Sequence, residues 1–140
     1  MSLKKKESVA HIMTKNPKTV NLQNSLLEVY NIMKNHNVRH VPVVSGEELI
    51  GIISQTDIER VTYVEDGLND HIRTAFFDML RIDQVMTRHV NALQIGDSVK
   101  EAAEILSMGS YHALPVLEDT KLVGILTTTD LINYLLRHYE

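Results

Sequence analysis

Residues 49–57 read LIGIISQTD, and residues 122–130 read LVGILTTTD. Each is an aliphatic, β-branched run interrupted by one glycine, then hydroxyl side chains, then an aspartate. Such a run, bounded by turn signals, predicts a buried strand leading into a helix. The second copy decides the fold. Asp57 and Asp130 lie 73 residues apart, as do Pro42 and Pro115, and Met13 and Met86. That single offset aligns residues 12–63 with 85–136 without a gap, and 12 of the 52 positions are identical. Chance does not hold register over such a length, so the chain is a duplicated unit of about 60 residues, a size that is marginal alone. The two halves are expected to bury their apolar faces against each other.

Each unit reads outward from its quoted strand in the same order. An extended piece (KTVNL, VNALQI) precedes a helix that opens with Ser-x-x-Glu, at Ser25–Glu28 and Ser98–Glu101. This is a capping box: the serine hydroxyl accepts a backbone N–H and the glutamate reaches back to the cap. Leu26, Val29, Tyr30 and Met33 then recur at helical spacing, as do Val99, Ala102, Ala103 and Leu106. Asn37 and Gly109 suit a left-handed helix terminus. HVPVV and ALPVL predict short strands, SGEE and EDTK hairpin turns, and LIGIIS and LVGILT the partner strands. A second helix follows, with Ile58, Val61 and Thr62 facing the core in one unit and Leu131, Tyr134 and Leu135 in the other. The predicted order is β-α-β-β-α, twice. The expected organisation is a tail over 1–7, repeats over 8–66 and 82–140, and a helical connector over 67–81. Ile72, Phe76, Met79 and Leu80 would form the apolar face of that connector, packed on its own repeat or on a second copy of the chain.

The bulk chemistry narrows the function. A hydrophobic fraction of 44% and a charged fraction of 23% are those of a globular protein. The absence of cysteine rules out disulfides, thiolate metal sites and thiol nucleophiles. A net charge of −4 argues against general nucleic-acid binding. Lys4, Lys5 and Lys6 form the only basic cluster and read as a solvated terminus. No signal-peptide core or membrane-length apolar run is present, so a cytoplasmic location is expected.

The repeated pattern is Met-Thr and a proline at the entrance, Pro-Val on the middle strand, and Gly, two apolar residues, a hydroxyl and Asp at the exit. It resembles the CBS-domain family, and the pair resembles a Bateman module. The resemblance covers about residues 8–66 and 82–140. It implies an α/β (α+β) fold of two pseudo-symmetric β-α-β-β-α repeats packed together. It also implies a regulatory module that binds an adenine nucleotide in clefts between the repeats. The exit aspartate of such families holds both ribose hydroxyls, a role that falls on Asp57 and Asp130. Ser54, Thr56, Thr127 and Thr129 would approach ribose or phosphate. The backbone of Thr19-Val20 and Ala92-Leu93 would frame the adenine. The residue three before the middle-strand proline is often basic and meets phosphate, which points to Arg39 and His112. His40 and Pro42, with Ala113 and Pro115, complete the expected sites. The entrance proline is Pro17 in the first repeat but Val90 in the second, a departure at the second site. AMP or ATP is the expected ligand ahead of S-adenosylmethionine, with no required cofactor. A homodimer and a separate regulated protein are the expected partners.

The residues support this chemistry on their own terms. A carboxylate can accept from both hydroxyls of a cis-diol. A strand glycine permits close approach of a ligand or another backbone. A hydroxyl-rich turn ahead of a helix favours phosphate, and Arg39 offers a planar donor fork. A purely structural reading competes: Thr56-Asp57-Ile58-Glu59 is itself a capping box, with Thr56 as cap and Glu59 as its partner. Ile132 replaces Glu59 in the second repeat while Thr129-Asp130 persists, which favours ligand binding. His36 and His40 are four apart but span a helix end and a strand, a poor metal pair, and His71, His89 and His138 read as exposed. No nucleophile elbow, phosphate loop or zinc motif is present, so catalysis is not expected. The alternative to a nucleotide sensor is a ligand-free dimerisation scaffold.

Overall fold

A computed structural model describes residues 6–62, 75 and 77–139. In chain order it contains a 3-10 turn (Val9–His11), β1 (Thr14–Lys15), α1 (Leu26–His36), β2 (His40–Ser45), β3 (Glu48–Ser54) and α2 (Gln55–Thr62). These are followed by α3 (Ile82–Val85), β4 (Leu93–Gln94), α4 (Val99–Ser107), β5 (Ala113–Glu118), β6 (Lys121–Thr127) and α5 (Thr128–Arg137). The α-β-β-α part of each expected repeat is present twice; of the expected leading strands VNALQI carries β4, whereas KTVNL contributes only an isolated bridge from Val20 to Val43.

The repeats in the sequence and the compact units in space do not coincide. One unit is contiguous, residues 18–89; the other joins residues 1–17 to residues 90–140. The leading segment of each repeat therefore folds into the unit built on the other repeat's strands. Thr14 and Lys15 pair antiparallel with Ile125 and Gly124 of β6. In the contiguous unit, Thr87 bridges Ile52 of β3, exchanging backbone hydrogen bonds of 2.9 and 3.0 Å.

This exchange explains the repeated glycine. A Cβ at Gly51 would lie 2.6 Å from Met86 Sδ and 3.0 Å from the Thr87 carbonyl. A Cβ at Gly124 would lie 2.5 Å from Met13 Sδ and 3.0 Å from the Thr14 carbonyl. The close approach that a strand glycine permits is made here by another backbone, the Met-Thr segment of the opposite repeat.

Within each unit the sheet follows one plan. In residues 18–89, β2 pairs antiparallel with β3 through a two-residue turn, and Val20 adds a parallel bridge to Val43. In the other unit, β5 pairs antiparallel with β6 and β4 runs parallel to β5. Gly46 and Asp119 open the two hairpin turns at φ of 63° and 57°. Asn37 takes the left-handed conformation that ends α1, and Gly109 does so beyond α4.

Each unit has its own core. Leu26, Val29 and Met33 of α1 pack with Val41, Val43, Ile53 and Ile58, joined by Phe77, Ile82, Val85 and Met86. Val99, Ala102 and Leu106 of α4 pack with Leu93, Leu114, Val116, Leu126 and Tyr134, joined by Val9 and Ile12. The expected connector falls largely outside the described residues, Ile72 and Phe76 included. Of its apolar face, Met79 is exposed and Leu80 half-buried. Phe77 carries the packing instead, fully buried with its ring 5.4 Å from that of Tyr30. Leu135, expected in the core, is partly exposed, and Tyr134 alone of α5 is fully buried. Among the described residues no helix is long and apolar enough to cross a membrane.

Candidate functional site

The candidate site begins where β3 passes into α2, and β6 into α5, with no residue between strand and helix. The first four N–H groups of a helix lack intrahelical partners and need acceptors. Here the last strand residue is the cap. The Ser54 hydroxyl accepts from the Asp57 N–H at 3.0 Å, and the Ser54 N–H donates to Asp57 Oδ2 at 2.9 Å. Thr127 does the same: its hydroxyl accepts from the Asp130 N–H at 3.1 Å, and its N–H donates to Asp130 Oδ2 at 3.0 Å.

This corrects the sequence reading of the cap. The box is Ser54 with Asp57, not Thr56 with Glu59, because the helix starts two residues earlier than the turn-then-helix pattern suggested. Thr56 and Thr129 lie in the first helical turn and are exposed; Glu59 accepts from the Gln55 side chain instead. The true box persists in both repeats. Repetition of the aspartate therefore follows from capping alone and cannot by itself argue for a ligand.

Beyond the cap, the two carboxylates differ. Asp57 is buried, at 7% exposure, and its Oδ1 accepts from Arg60 Nη2 at 2.6 Å. Asp130 is half-buried, and the Thr14 hydroxyl lies 3.3 Å from Oδ1 and 3.4 Å from Oδ2. An alcohol thus already points at both oxygens of Asp130. Thr14 and Arg60 are site residues that the sequence reading missed. Arg60 stands three residues after Asp57 on one helix, a spacing that brings side chains together. Thr14 could not be found from spacing, because its contact spans 116 residues through the exchanged segment.

Arg39 and His112 are exposed, and their carbonyls accept from the first helical N–H groups, Gln55 at 2.8 Å and Thr128 at 3.1 Å. Arg39 lines a half-open groove of about 610 Å³ between the end of α1 and the start of α2, with Lys34, Gln55 and Glu59. Val20 is buried, and both its backbone groups are bonded to β2, its N–H to the Pro42 carbonyl at 3.1 Å and its carbonyl to the Val44 N–H at 2.8 Å. Leu93, Pro42, Ala113 and Pro115 are buried as well; Thr19 is exposed, and Ala92 and His40 are half-buried. His36 ends α1 and His40 opens β2, so they stand on different elements. His138 is half-buried rather than exposed. Its ring lies 4.4 Å from that of Tyr134, and its Nδ1 is 2.8 Å from the Tyr134 carbonyl oxygen.

Comparison with known proteins agrees with this architecture. The family model described as CBS domain matches residues 9–62 and 82–137. A homoserine O-acetyltransferase of Methanocorpusculum labreanum is 30% identical over 126 residues, covering 89% of this chain but only 23% of that protein. A solved CBS domain pair in complex with 5′-methylthioadenosine and S-adenosyl-L-methionine superposes with a TM-score of 0.79 at 26% identity, covering 94% of this chain and 98% of that one. A second structure, CBSX2 in complex with AMP, superposes with a TM-score of 0.78 at 20% identity, covering 94% and 97% of the two chains.

Proposed function

The chain belongs to the CBS-domain family, and from that premise we propose that it is a regulatory module that binds an adenosine compound and passes the event to a partner protein. The observation that carries this reading is the pair of strand-to-helix lips. In each, a carboxylate uses Oδ2 for the cap and can accept further with its remaining lone pairs. At Asp130 the single Thr14 hydroxyl lies 3.3 and 3.4 Å from the two oxygens, so this carboxylate already accepts from an alcohol. The start of the following helix favours an anion, and Arg39 and His112 are tied beside it through their carbonyls. The 26%-identical neighbour holds two adenosine compounds, which share the ribose that these aspartates would read. The basic Arg39 favours a phosphate at the far end, so AMP and ATP precede S-adenosylmethionine. Binding would shift the population between two arrangements of the module. The activity of the acetyltransferase relative is not carried over, because the match spans about a quarter of that protein.

The test is thermal unfolding of nucleotide-stripped protein with AMP, ATP, S-adenosylmethionine, GTP and deoxy-ATP. A ligand at a hundred times its dissociation constant adds about 2.7 kcal/mol, a midpoint shift of several degrees. Adenosine ligands should raise the midpoint, and deoxy-ATP should not. Asp130→Ala also removes a cap, so the quantity to compare is the ligand-induced increment, which should vanish. If no ligand moves the midpoint, the second reading takes over: a ligand-free scaffold that dimerises. Its own support is α5 and the residues just after it: Ile132 and Leu136 of the helix are 56% and 62% exposed, and Tyr139 beyond its end is 65% exposed. In an antiparallel pairing of two α5 helices, Asp130 near one end would meet Arg137 near the other, a self-complementary charge pattern.

A further inference from the structure

We propose that Arg60 is an internal latch that occupies the ribose-reading carboxylate of the first repeat, so that the two lips of this duplicated protein bind unequally, the second first. The inference rests on the proposed role of Asp57 and Asp130 as ribose acceptors. Arg60 Nη2 sits 2.6 Å from Asp57 Oδ1 while the Ser54 N–H holds Oδ2, so both oxygens are engaged from within the same helix turn. The Asp57 side chain is 10% exposed and that of Arg60 63% exposed. A diol approaching from solvent therefore meets the guanidinium before the carboxylate. The ion pair is charge-assisted and at a charge-assisted distance, and its exposed partner can swing away without disturbing the core.

The second repeat is the built-in comparison. The position equivalent to Arg60 is Asn133, which is exposed and carries no charge. Asp130 keeps the same cap through Oδ2 and, among the described residues, its other side-chain neighbour is the Thr14 hydroxyl, at 3.3 Å or more. A hydroxyl is exchanged for a ribose hydroxyl like for like, whereas displacing Arg60 breaks an ion pair. The repeats thus share the carboxylate and differ in what covers it. A partly screened pair of this kind corresponds to about a fivefold difference in affinity.

Two measurements on the full chain test this. The first needs no nucleotide: carbodiimide labelling of carboxylates, read by mass spectrometry, should modify Asp130 faster than Asp57, and Arg60→Ala should bring Asp57 up toward Asp130. The second is calorimetric titration with AMP. Wild-type protein should show one tighter site lost in Asp130→Ala. Arg60→Ala should tighten the weaker site about fivefold, a gain removed by adding Asp57→Ala. Asn133→Arg should weaken the tighter site. Unchanged labelling in Arg60→Ala overturns the latch. So does AMP binding through Asp130 with no gain, or a loss, in Arg60→Ala, while leaving the proposed function intact. If AMP binds neither protein, the proposed function falls and takes the latch with it.

Discussion

Helices α2 and α5 are the same element written twice, yet they present opposite chemistry to solvent. Ile58 and Tyr134, three positions apart in the repeat register and so one helical turn apart, are buried on the inner face of each. Outward, α2 carries Gln55, Glu59 and Arg60, and a groove lined by Lys34, Arg39 and Glu59 opens between it and α1. At the positions matching Arg39 and Glu59 the second repeat has His112 and Ile132, and α5 adds Leu135 and Leu136 to the exposed surface, followed by Tyr139 beyond its end. The fold tolerates the polar version, so the apolar version of α5 is not needed for folding. Duplication supplied two frames, and their outer faces differ: a polar groove beside α2 and an apolar surface on α5.

The largest expected effect would break this comparison at α5. Leu136→Asp should halve the molecular mass seen by light scattering if two copies meet through this face, without lowering the unfolding midpoint of the monomer. A change on the polar outer face of α2, Glu59→Gln, should leave the mass unchanged. A wild-type protein already monomeric at high concentration would remove the dimer.

Next in size is a test of where the two units are alike. Gly51→Val and Gly124→Val each force a side chain against a backbone carbonyl 3.0 Å from the Cβ position. Each should cost about 1–3 kcal/mol, the range for overpacking, measured by denaturant unfolding. Gly96→Ala is the control, since nothing lies within 4 Å of its Cβ position; it should change stability by less than about 0.5 kcal/mol. A tolerated change at one of the paired glycines would show that the exchanged segments grip unequally.

The smallest effect separates α1 from α4. At α1 the box is closed: the Glu28 N–H donates to the Ser25 hydroxyl and the Ser25 N–H donates to Glu28 Oε1. At α4 the Ser98 hydroxyl accepts from the Glu101 N–H, but the return bond is absent, and the nearby Val99 N–H donates to the Glu7 carbonyl. The Ser25 backbone bond, followed by the Asn24 side chain, holds the Glu28 carboxyl below its usual value. A carboxyl lowered in the folded state contributes stability above its unfolded pKa, and that contribution is lost as pH falls through the folded value. Acidification should therefore fray the start of α1, seen as lower amide protection there (exchange relative to the intrinsic rate at each pH), and Glu28→Gln should remove this pH dependence. A protection factor at α1 that does not change with pH would show that the carboxylate adds nothing to the cap.

Much of this was legible in the sequence. The offset between Asp57 and Asp130 revealed the duplication, and Ser25–Glu28, Asn37 and Gly109 marked helix ends correctly because caps are local chemistry. The exchange of Met13-Thr14 and Met86-Thr87 was not legible. A repeat offset says which residues correspond, not which copy a strand pairs with. For the same reason Thr14 was missed at Asp130. The cap at Ser54 was misplaced by two residues because a strand that becomes a helix without a loop leaves no turn signal. The exposure of Leu135 was missed because α5 has more apolar residues than its core face needs, and periodicity alone cannot say which of them stay outside.

The exchanged segments also set an order of birth. Residues 18–89 are contiguous, so that unit can close while the ribosome is still making the rest. The other unit cannot. Thr14 and its strand partner Ile125 lie 125 − 14 = 111 residues apart. At typical synthesis rates that separation takes about 5–20 s to make, during which Thr14 and Lys15 are without their partners on β6.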